Sequence, residues 1–480
     1  MLGFTALVFG APQERGNAEQ DAESQDRLGV VHAEKGELAT AVSCFQKAIG
    51  LRPDFPEAHY HLALAYERMG RTAEALEGYQ EAIRLRPDFS EARYLLAGSC
   101  QKAGDLEGVA RLLGEIVERA PGFAEARYNL GLTLQSQKKL TEAVEQLRAA
   151  ARLTPRNPKF LMALGIALAE QQHGAEAAAT LHQAAALDPG NAEVHYNLGV
   201  ALATAGREVE AVQAFWGALQ RNPKHASARR GLGISLMHQG QLEASLAELR
   251  RAVEAAPDDP EARNNLGLVL LRLKDPQGAI EALEWAARLN PRLIKAYYNL
   301  AQACQRAGRY EDARRATERA RELTAEQRNL GRAMLLVQSA NQGVHGGDAS
   351  AALTRLREAI ALSPNFADAH VELAKALRSR GDTGEALQAL RRALKLDPER
   401  ADARYELGLT LGQAGERPAA IEELRTAAQR WPCFLPARRA LGLLSLEAGD
   451  RKTALGELRF VLALAPLDAE VRRALQRASR

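Results

Sequence analysis

Aromatic residues are scarce in this chain of 480 residues: they make up 5% of it, although apolar residues as a whole make up 46%. Alanine and leucine must therefore fill the core, which favours closely packed helices over a β-sandwich or barrel. An excess of either charge is also lacking, because 63 basic residues stand against 60 acidic ones. A formal net charge of +3 does not favour nucleic-acid binding, and we expect no nucleic-acid partner.

Cysteines and long apolar runs are also few. Four scattered cysteines without a C-x-x-C pair (Cys44, Cys100, Cys304 and Cys433) resemble neither a disulfide framework nor a zinc site. The apolar start, residues 1–10, is too short to cross a bilayer, so no transmembrane span is predicted. Residues 1–21 are interpreted as a tail, either a secretory-signal remnant or a frayed end, with disorder from Pro12 to about Ala22. The sequence names no compartment: the expectation is a cytoplasmic chain, or an exported one if that segment is a signal remnant.

Catalytic signatures are absent as well. The sequence contains no G-x-S-x-G, no H-E-x-x-H and no Walker lysine, and no strand precedes Gly231 and Gly233, the one pair that resembles part of a phosphate loop. We therefore predict no enzymatic activity and no cofactor. Four histidines (His59, His61, His195 and His370) are too dispersed for a metal site and are interpreted as surface residues.

What the sequence does contain is a period of 34 residues. Twelve prolines keep this spacing: Pro53, Pro87, Pro121, Pro155, Pro189, Pro223, Pro257, Pro291, Pro364, Pro398, Pro432 and Pro466. The series is interrupted once, where Ala325 stands in place of the expected proline and five extra residues follow. We number the positions of each unit from 1 to 34, with Ala22 at position 1, so that the proline stands at position 32.

Other positions keep the same period. Position 7 is leucine in every unit except at Ser339, position 8 is Gly or Ala, position 20 is usually alanine, and position 24 is mostly a large apolar residue. Spacings of three and four residues, as in Ala75, Tyr79 and Ala82, predict apolar stripes on two short helices, A and B, joined by a Gly-centred turn. We expect the small residues to stand where the two helices approach closely, and the proline to end helix B.

This pattern resembles the tetratricopeptide repeat (TPR). The resemblance implies an all-α TPR solenoid, a right-handed superhelix of antiparallel helix pairs whose A helices line a concave groove. Nine units fit residues 22–327 and four fit residues 333–468, separated by an insertion at 328–332; residues 469–480 read as a C-terminal capping helix.

The joint between the two series is irregular. Core or breaker residues are replaced at Thr317, Ala325, Ser339 and Gly343, and residues 325–345 are predicted to form one longer helix with an apolar stripe at 334–337. Two interpretations stay open: a hinge or change of superhelical phase, and a degenerate unit packed rigidly in line.

Two rows of residues are candidates for the binding groove. Position 6 is asparagine in four units (Asn129, Asn197, Asn265 and Asn299), and position 5 is tyrosine in six (Tyr60, Tyr94, Tyr128, Tyr196, Tyr298 and Tyr405). An amide row can satisfy an extended peptide backbone, and it partly resembles the asparagine ladder of O-linked N-acetylglucosamine transferases, although Ala163 and Gly231 interrupt it. Tyrosines suit a partner interface or, equally, packing between helices.

The resulting hypothesis is a non-catalytic protein–protein interaction scaffold that binds extended peptides or partner proteins in its groove. One alternative is the substrate-recruiting or regulatory arm of a separately encoded enzyme such as a glycosyltransferase, and another is a cell-envelope assembly scaffold. Chaperone carboxylate-clamp ligands are disfavoured, because no unit combines a lysine at position 5 with an asparagine four residues later.

Overall fold

The computed structural model describes residues 17–345 and 349–479, which form 26 helices and no strand. The A helices are α1 Asn17–Glu34, α3 Pro56–Arg68, α5 Ser90–Lys102, α7 Ala124–Ser136, α9 Pro158–Glu170, α11 Ala192–Thr204, α13 Ala226–His238, α15 Pro260–Arg272, α17 Ile294–Arg306, α20 Ala367–Arg380, α22 Ala401–Gln413 and α24 Leu435–Glu447. The B helices are α2 Leu38–Leu51, α4 Thr72–Leu85, α6 Leu106–Arg119, α8 Leu140–Leu153, α10 Gly174–Leu187, α12 Glu208–Arg221, α14 Leu242–Ala255, α16 Pro276–Leu289, α19 Ala349–Leu362, α21 Thr383–Leu396, α23 Arg417–Arg430 and α25 Arg451–Leu464. Two further helices, α18 Tyr310–His345 and α26 Ala469–Ser479, complete the set.

The helices belong to two compact bodies. The terminal body holds the described residues up to Ala126 together with Val337–Ile360 and Asn365–Arg480, and the central body holds Arg127–Leu336 with Ala361–Pro364. In each body, helices that follow one another in sequence pack together, and the A helices of neighbouring units also contact each other. The all-α fold of stacked helix pairs is therefore as predicted, and none of its described helices is long and apolar enough to cross a membrane.

Close contact between the A and B helices of a pair depends on the small residue at position 8. A Cβ atom added to Gly165 would come within 2.4 Å of Leu181 Cγ, and one added to Gly267 within 2.5 Å of Leu283 Cγ. Both leucines, at position 24, are fully buried. At these two positions even a Cβ atom would crowd the facing leucine, so the expectation of close helix approach is confirmed.

The turn from helix A to helix B requires a left-handed backbone conformation. Nine units place a glycine there, with φ between 75° and 90°, as at Gly70 and Gly381. Three units have another residue at the same point: Lys138, Gln172 and Lys274, with φ of 62–65°. Residues with a Cβ pay a steric cost of about 1–2 kcal/mol in this conformation, so these three turns are the weakest in the array.

We expect Gln172→Gly to raise the free energy of unfolding by about 0.5–1 kcal/mol, since the relief of steric strain exceeds the entropic cost of glycine. The matched control is Gln171→Gly, because Gln171 is the same residue type one place earlier, with φ of −78°. That control should lower stability or leave it unchanged. Urea unfolding of the full chain measures both, and equal effects at the two positions would contradict the strain argument.

The loop from helix B to the next helix A is held by side chains at position 4. Nine of them donate a hydrogen bond to the carbonyl of the repeat proline six residues earlier: His59, Arg93, His195, Arg229, Arg263, Tyr297, Arg404, Arg438 and Arg472. Several of these arginines also reach helix B of their own unit, as Arg229 does at 2.9 Å from Glu248. Position 4 therefore ties the loop to both helices of the pair.

The irregular joint is one continuous helix. Helix α18 runs for 36 residues, from Tyr310 through the inserted residues to His345, because position 32 holds Ala325 instead of proline. The helix predicted over 325–345 is thus the second part of a longer one. Its predicted apolar stripe is buried only in part: Val337 is buried, whereas Met334 and Leu335 are exposed. Whether the joint acts as a hinge stays a prediction.

The N-terminal helix begins earlier than predicted. Residues from Asn17 to Ala22 belong to α1, so the predicted disorder up to Ala22 is wrong for this part. Ala22 is fully buried in a cluster with Phe55 and Ala58, and this burial stabilises the first turns. The proposed signal remnant and the remainder of the tail, residues 1–16, lie outside the described residues.

Two of the cysteines are bonded, which corrects the interpretation of all four as isolated. A disulfide joins Cys100, in α5, to Cys433, in the loop before α24, with Cα atoms 5.9 Å apart. Cys44 and Cys304 are free and buried. The pairing could not be deduced from spacing, because 333 residues separate the two partners and only the packing of the terminal body brings them together.

Candidate partner-binding surface

The candidate surface, here called the inner face, consists of positions 5 and 6 on the A helices. Several neighbouring A helices contact one another within each body. At two of these contacts the side chain at position 6 reaches position 5 of the preceding unit. Asn299 Nδ2, for example, donates to Asn264 Oδ1 at 2.9 Å, and His61 Nδ1 lies 2.9 Å from Asp26 Oδ1.

Five of the six tyrosines at position 5 pack against a ring near the start of the next helix A: four contact the position 34 residue of their own unit, and Tyr128 contacts Phe160 of the following unit. The ring centroids are 5.0 Å apart for Tyr60–Phe89, 5.4 Å for Tyr94–Phe123, 4.7 Å for Tyr128–Phe160, 4.9 Å for Tyr196–His225 and 5.3 Å for Tyr405–Phe434. Such pairs contribute about 0.5–1.5 kcal/mol beyond area burial. These five tyrosines therefore help to hold neighbouring units together, whatever else they contact.

The sixth tyrosine is different. Tyr298 is 47% exposed, and its hydroxyl lies 3.3 Å from Thr324 Oγ1 on α18. By contrast, burial raises the pKa of Tyr60 to about 12 and also raises that of Tyr405, so both phenols stay protonated at neutral pH.

The four asparagines at position 6 have different surroundings. Asn299 Nδ2 donates a hydrogen bond to Asn264 Oδ1 of the preceding unit. Asn197 Nδ2 donates to the Glu193 carbonyl on its own helix at 2.8 Å. Asn129 and Asn265 are half-buried. Sequence reasoning missed Asn264, which is buried at position 5 where several other units have tyrosine; its departure from the repeat pattern was the available signal.

One interruption of the asparagine row has a steric cause. A Cβ atom at Gly231 would come within 2.6 Å of the Phe215 ring. Phe215 is the position 24 residue of the preceding unit, and it also faces Gly199, where an added Cβ would approach its ring to 2.6 Å. At Asn265, by contrast, the preceding position 24 residue is Leu249. In its present orientation the ring of Phe215 leaves no room for a Cβ atom at Gly231.

We expect Gly231→Ala to lower the free energy of unfolding by about 1–3 kcal/mol through overpacking. In the presence of Phe215→Leu, Gly231→Ala should cost much less, giving a coupling energy of at least about 1 kcal/mol. A double-mutant cycle by urea denaturation measures this coupling. Strict additivity of the two substitutions would contradict the steric explanation.

A groove lies between α22 and α24 in the terminal body. Its volume is about 630 Å³, within the range of ligand pockets. Tyr405, Leu409 and Gly412 line it from α22, and α24 contributes positions 5, 9 and 13 among others: Arg439, Leu443 and Glu447. Arg439 is held at the rim by Asp468, with Nε and Oδ2 3.0 Å apart. The groove is therefore apolar inside with charged groups at its edge, and it contains one predicted residue, Tyr405.

The histidine interpretation needs correction. His61 and His370 are buried, so they are not surface residues. His61 is buried because position 6 faces the preceding unit, where Asp26 and the Phe45 ring receive it. His59 and His195 bind prolyl carbonyls. Within residues 17–345 and 349–479, no group of three or more His, Cys, Asp or Glu residues is arranged to hold a metal ion.

Several solved structures are similar to this chain. The Cut9–Hcn1 hetero-tetramer of the APC/C is 16% identical over 96% of both chains, with a TM-score of 0.36. The human IFIT1 dimer with m7Gppp-AAAA is 18% identical over 78% of this chain and 90% of that one, with a TM-score of 0.37. MamA from Desulfovibrio magneticus RS-1 is 23% identical over 35% of this chain and 96% of that one, with a TM-score of 0.33. No curated protein matches the chain.

Family models give the direct assignment. Models described as TPR repeat match residues 29–70 and 374–415, and models described as tetratricopeptide repeat match 56–89, 101–158, 162–225, 216–260, 232–292 and 264–327. Together they cover more than half of the chain. Proteins with such repeats are generally non-catalytic scaffolds for protein–protein interaction. The chain is a member of the tetratricopeptide-repeat family.

Proposed function

We propose that this scaffold binds an extended segment of a partner protein, with the α22–α24 groove of the terminal body as an anchor for an apolar side chain. The observation that carries the proposal is the groove itself, which is lined by Leu409 and Leu443 and closed at one edge by the Arg439–Asp468 ion pair. Its volume suits one or two side chains of a peptide better than a folded domain.

The asparagines of the central body form a second, separate part of the proposal. Asn129, Asn197, Asn265 and Asn299 recur at one position of the repeat, so their amides could follow a peptide backbone in steps along the A helices. Asn197 and Asn299 would exchange their present bonds to Glu193 and Asn264 for bonds to a ligand. Tyr298 is the tyrosine with the most exposed ring for such contact, and the other five contribute their edges and hydroxyls.

The groove is tested by selecting a displayed library of 15-residue peptides on the full chain and measuring the Kd of an enriched synthetic peptide by fluorescence anisotropy. Leu443→Glu should weaken binding at least tenfold, because a carboxylate in the apolar groove loses hydration on ligand binding. Leu153→Glu is the matched control, since this leucine is 44% exposed at the end of α8. Circular dichroism verifies the fold of both variants.

The asparagine row is tested with the same peptide and the four Asn→Ala substitutions made singly and together. Each lost amide-to-backbone bond should raise the Kd about fivefold, corresponding to about 1 kcal/mol. An unchanged Kd in the quadruple variant would remove the row from the site, and an unchanged Kd in Leu443→Glu would remove the groove. If no peptide is enriched over a scrambled control, the extended-segment proposal fails.

A further inference from the structure

Cys100 lies in α5 and Cys433 in the loop before α24. Their disulfide joins these two segments where the loop packs against the end of α5 and the start of α6. Their Cα separation of 5.9 Å lies within the usual range for a disulfide. Both residues are buried, with Cys100 at 0% and Cys433 at 1% exposure. The bond therefore lies inside the contact, where solvent reaches it only when the two segments separate.

The contact has features beyond the sulfur atoms. Asp105 is fully buried, and its Oδ1 accepts a hydrogen bond from the Gly108 amide at 2.8 Å. A Cβ atom at Gly108 would come within 2.7 Å of Cys433 Cβ. The backbone around Cys433 thus fits closely against the start of α6, where the glycine leaves room for it.

The same part of the terminal body encloses a cleft. Helix α4 packs directly on α25, and a cleft of about 870 Å³ lies beside this contact. Acidic residues of α4, Glu77 and Glu81, line it together with Arg438 and Arg459 from α24 and α25. Both sides of the cleft carry both charges, because Arg84 of α4 and Glu457 of α25 also line it and pair with Glu81 and Arg438.

We propose that Cys100 and Cys433 form a redox-controlled clasp that fixes the early repeats to the late repeats and so governs the α4–α25 contact and its cleft. The inference is independent of the peptide site proposed above. Oxidation transfers two electrons and two protons from the thiols to a small-molecule disulfide, which leaves as two thiols, and a reducing dithiol reverses the exchange.

The chemical test is non-reducing electrophoresis of the denatured, alkylated full chain after equilibration with oxidised or reduced glutathione. The oxidised chain should migrate faster, because the bond closes a loop across 333 residues. Cys44→Ala with Cys304→Ala should keep this shift, since these thiols are free and buried. Cys100→Ala or Cys433→Ala should abolish it. A bond to Cys44 or Cys304, a disulfide between chains, or no shift at all would overturn the clasp.

The structural test compares the oxidised and reduced wild-type chain by hydrogen–deuterium exchange, which avoids variants that fail to fold. Reduction should increase exchange in α4, α25 and the start of α6, with α13–α16 in the central body as the internal reference. Unchanged exchange in α4 and α25 on reduction would overturn the claim that the bond governs their contact.

Discussion

Burial of each helix pair against its neighbours is the interaction on which the rest of this structure depends. The helices of a regular unit are 13 or 14 residues long, a length that is marginal in isolation. Their stability therefore comes from contacts such as Gly165 with Leu181 inside a pair and Tyr128 with Phe160 between pairs. Because position 8 is always Gly or Ala, the A and B helices of a pair can approach closely.

Polar groups follow the same repeat and limit what the inner face can offer. Position 4 binds the carbonyl of the repeat proline, and position 6 can bond to position 5 of the unit before it, as Asn299 does with Asn264. Side chains such as Arg229 and Asn299, which the sequence alone would leave open for partner binding, are therefore already hydrogen-bonded within the repeats. A partner segment would have to replace these hydrogen bonds with its own. This favours ligands whose backbone N–H and C=O groups can form the same number of bonds.

The sequence predicted the helix pairs, the Gly-centred turns and the close approach at position 8, because these are local or depend on units one repeat apart. It did not reveal the role of position 4, where arginine or histidine in nine of the thirteen units was the visible signal, since the TPR pattern used landmarks at other positions. The burial of His61 was missed because it depends on Asp26, 35 residues away. The Cys100–Cys433 bond could not be predicted from the repeat pattern, because its two cysteines are brought together only by the packing of the whole terminal body. The position 5 and 6 residues stay predictions as a binding site, since a ligand decides which of them are used.

Native-state hydrogen exchange at increasing denaturant concentration tests nearest-neighbour burial most directly. The account predicts that the A and B helices of one pair, such as α13 and α14, lose protection together at one denaturant concentration. Amides near position 8 should be among the last in each pair to exchange. Independent exchange of α13 and α14, with one helix keeping its protection after the other has lost it, would contradict the account.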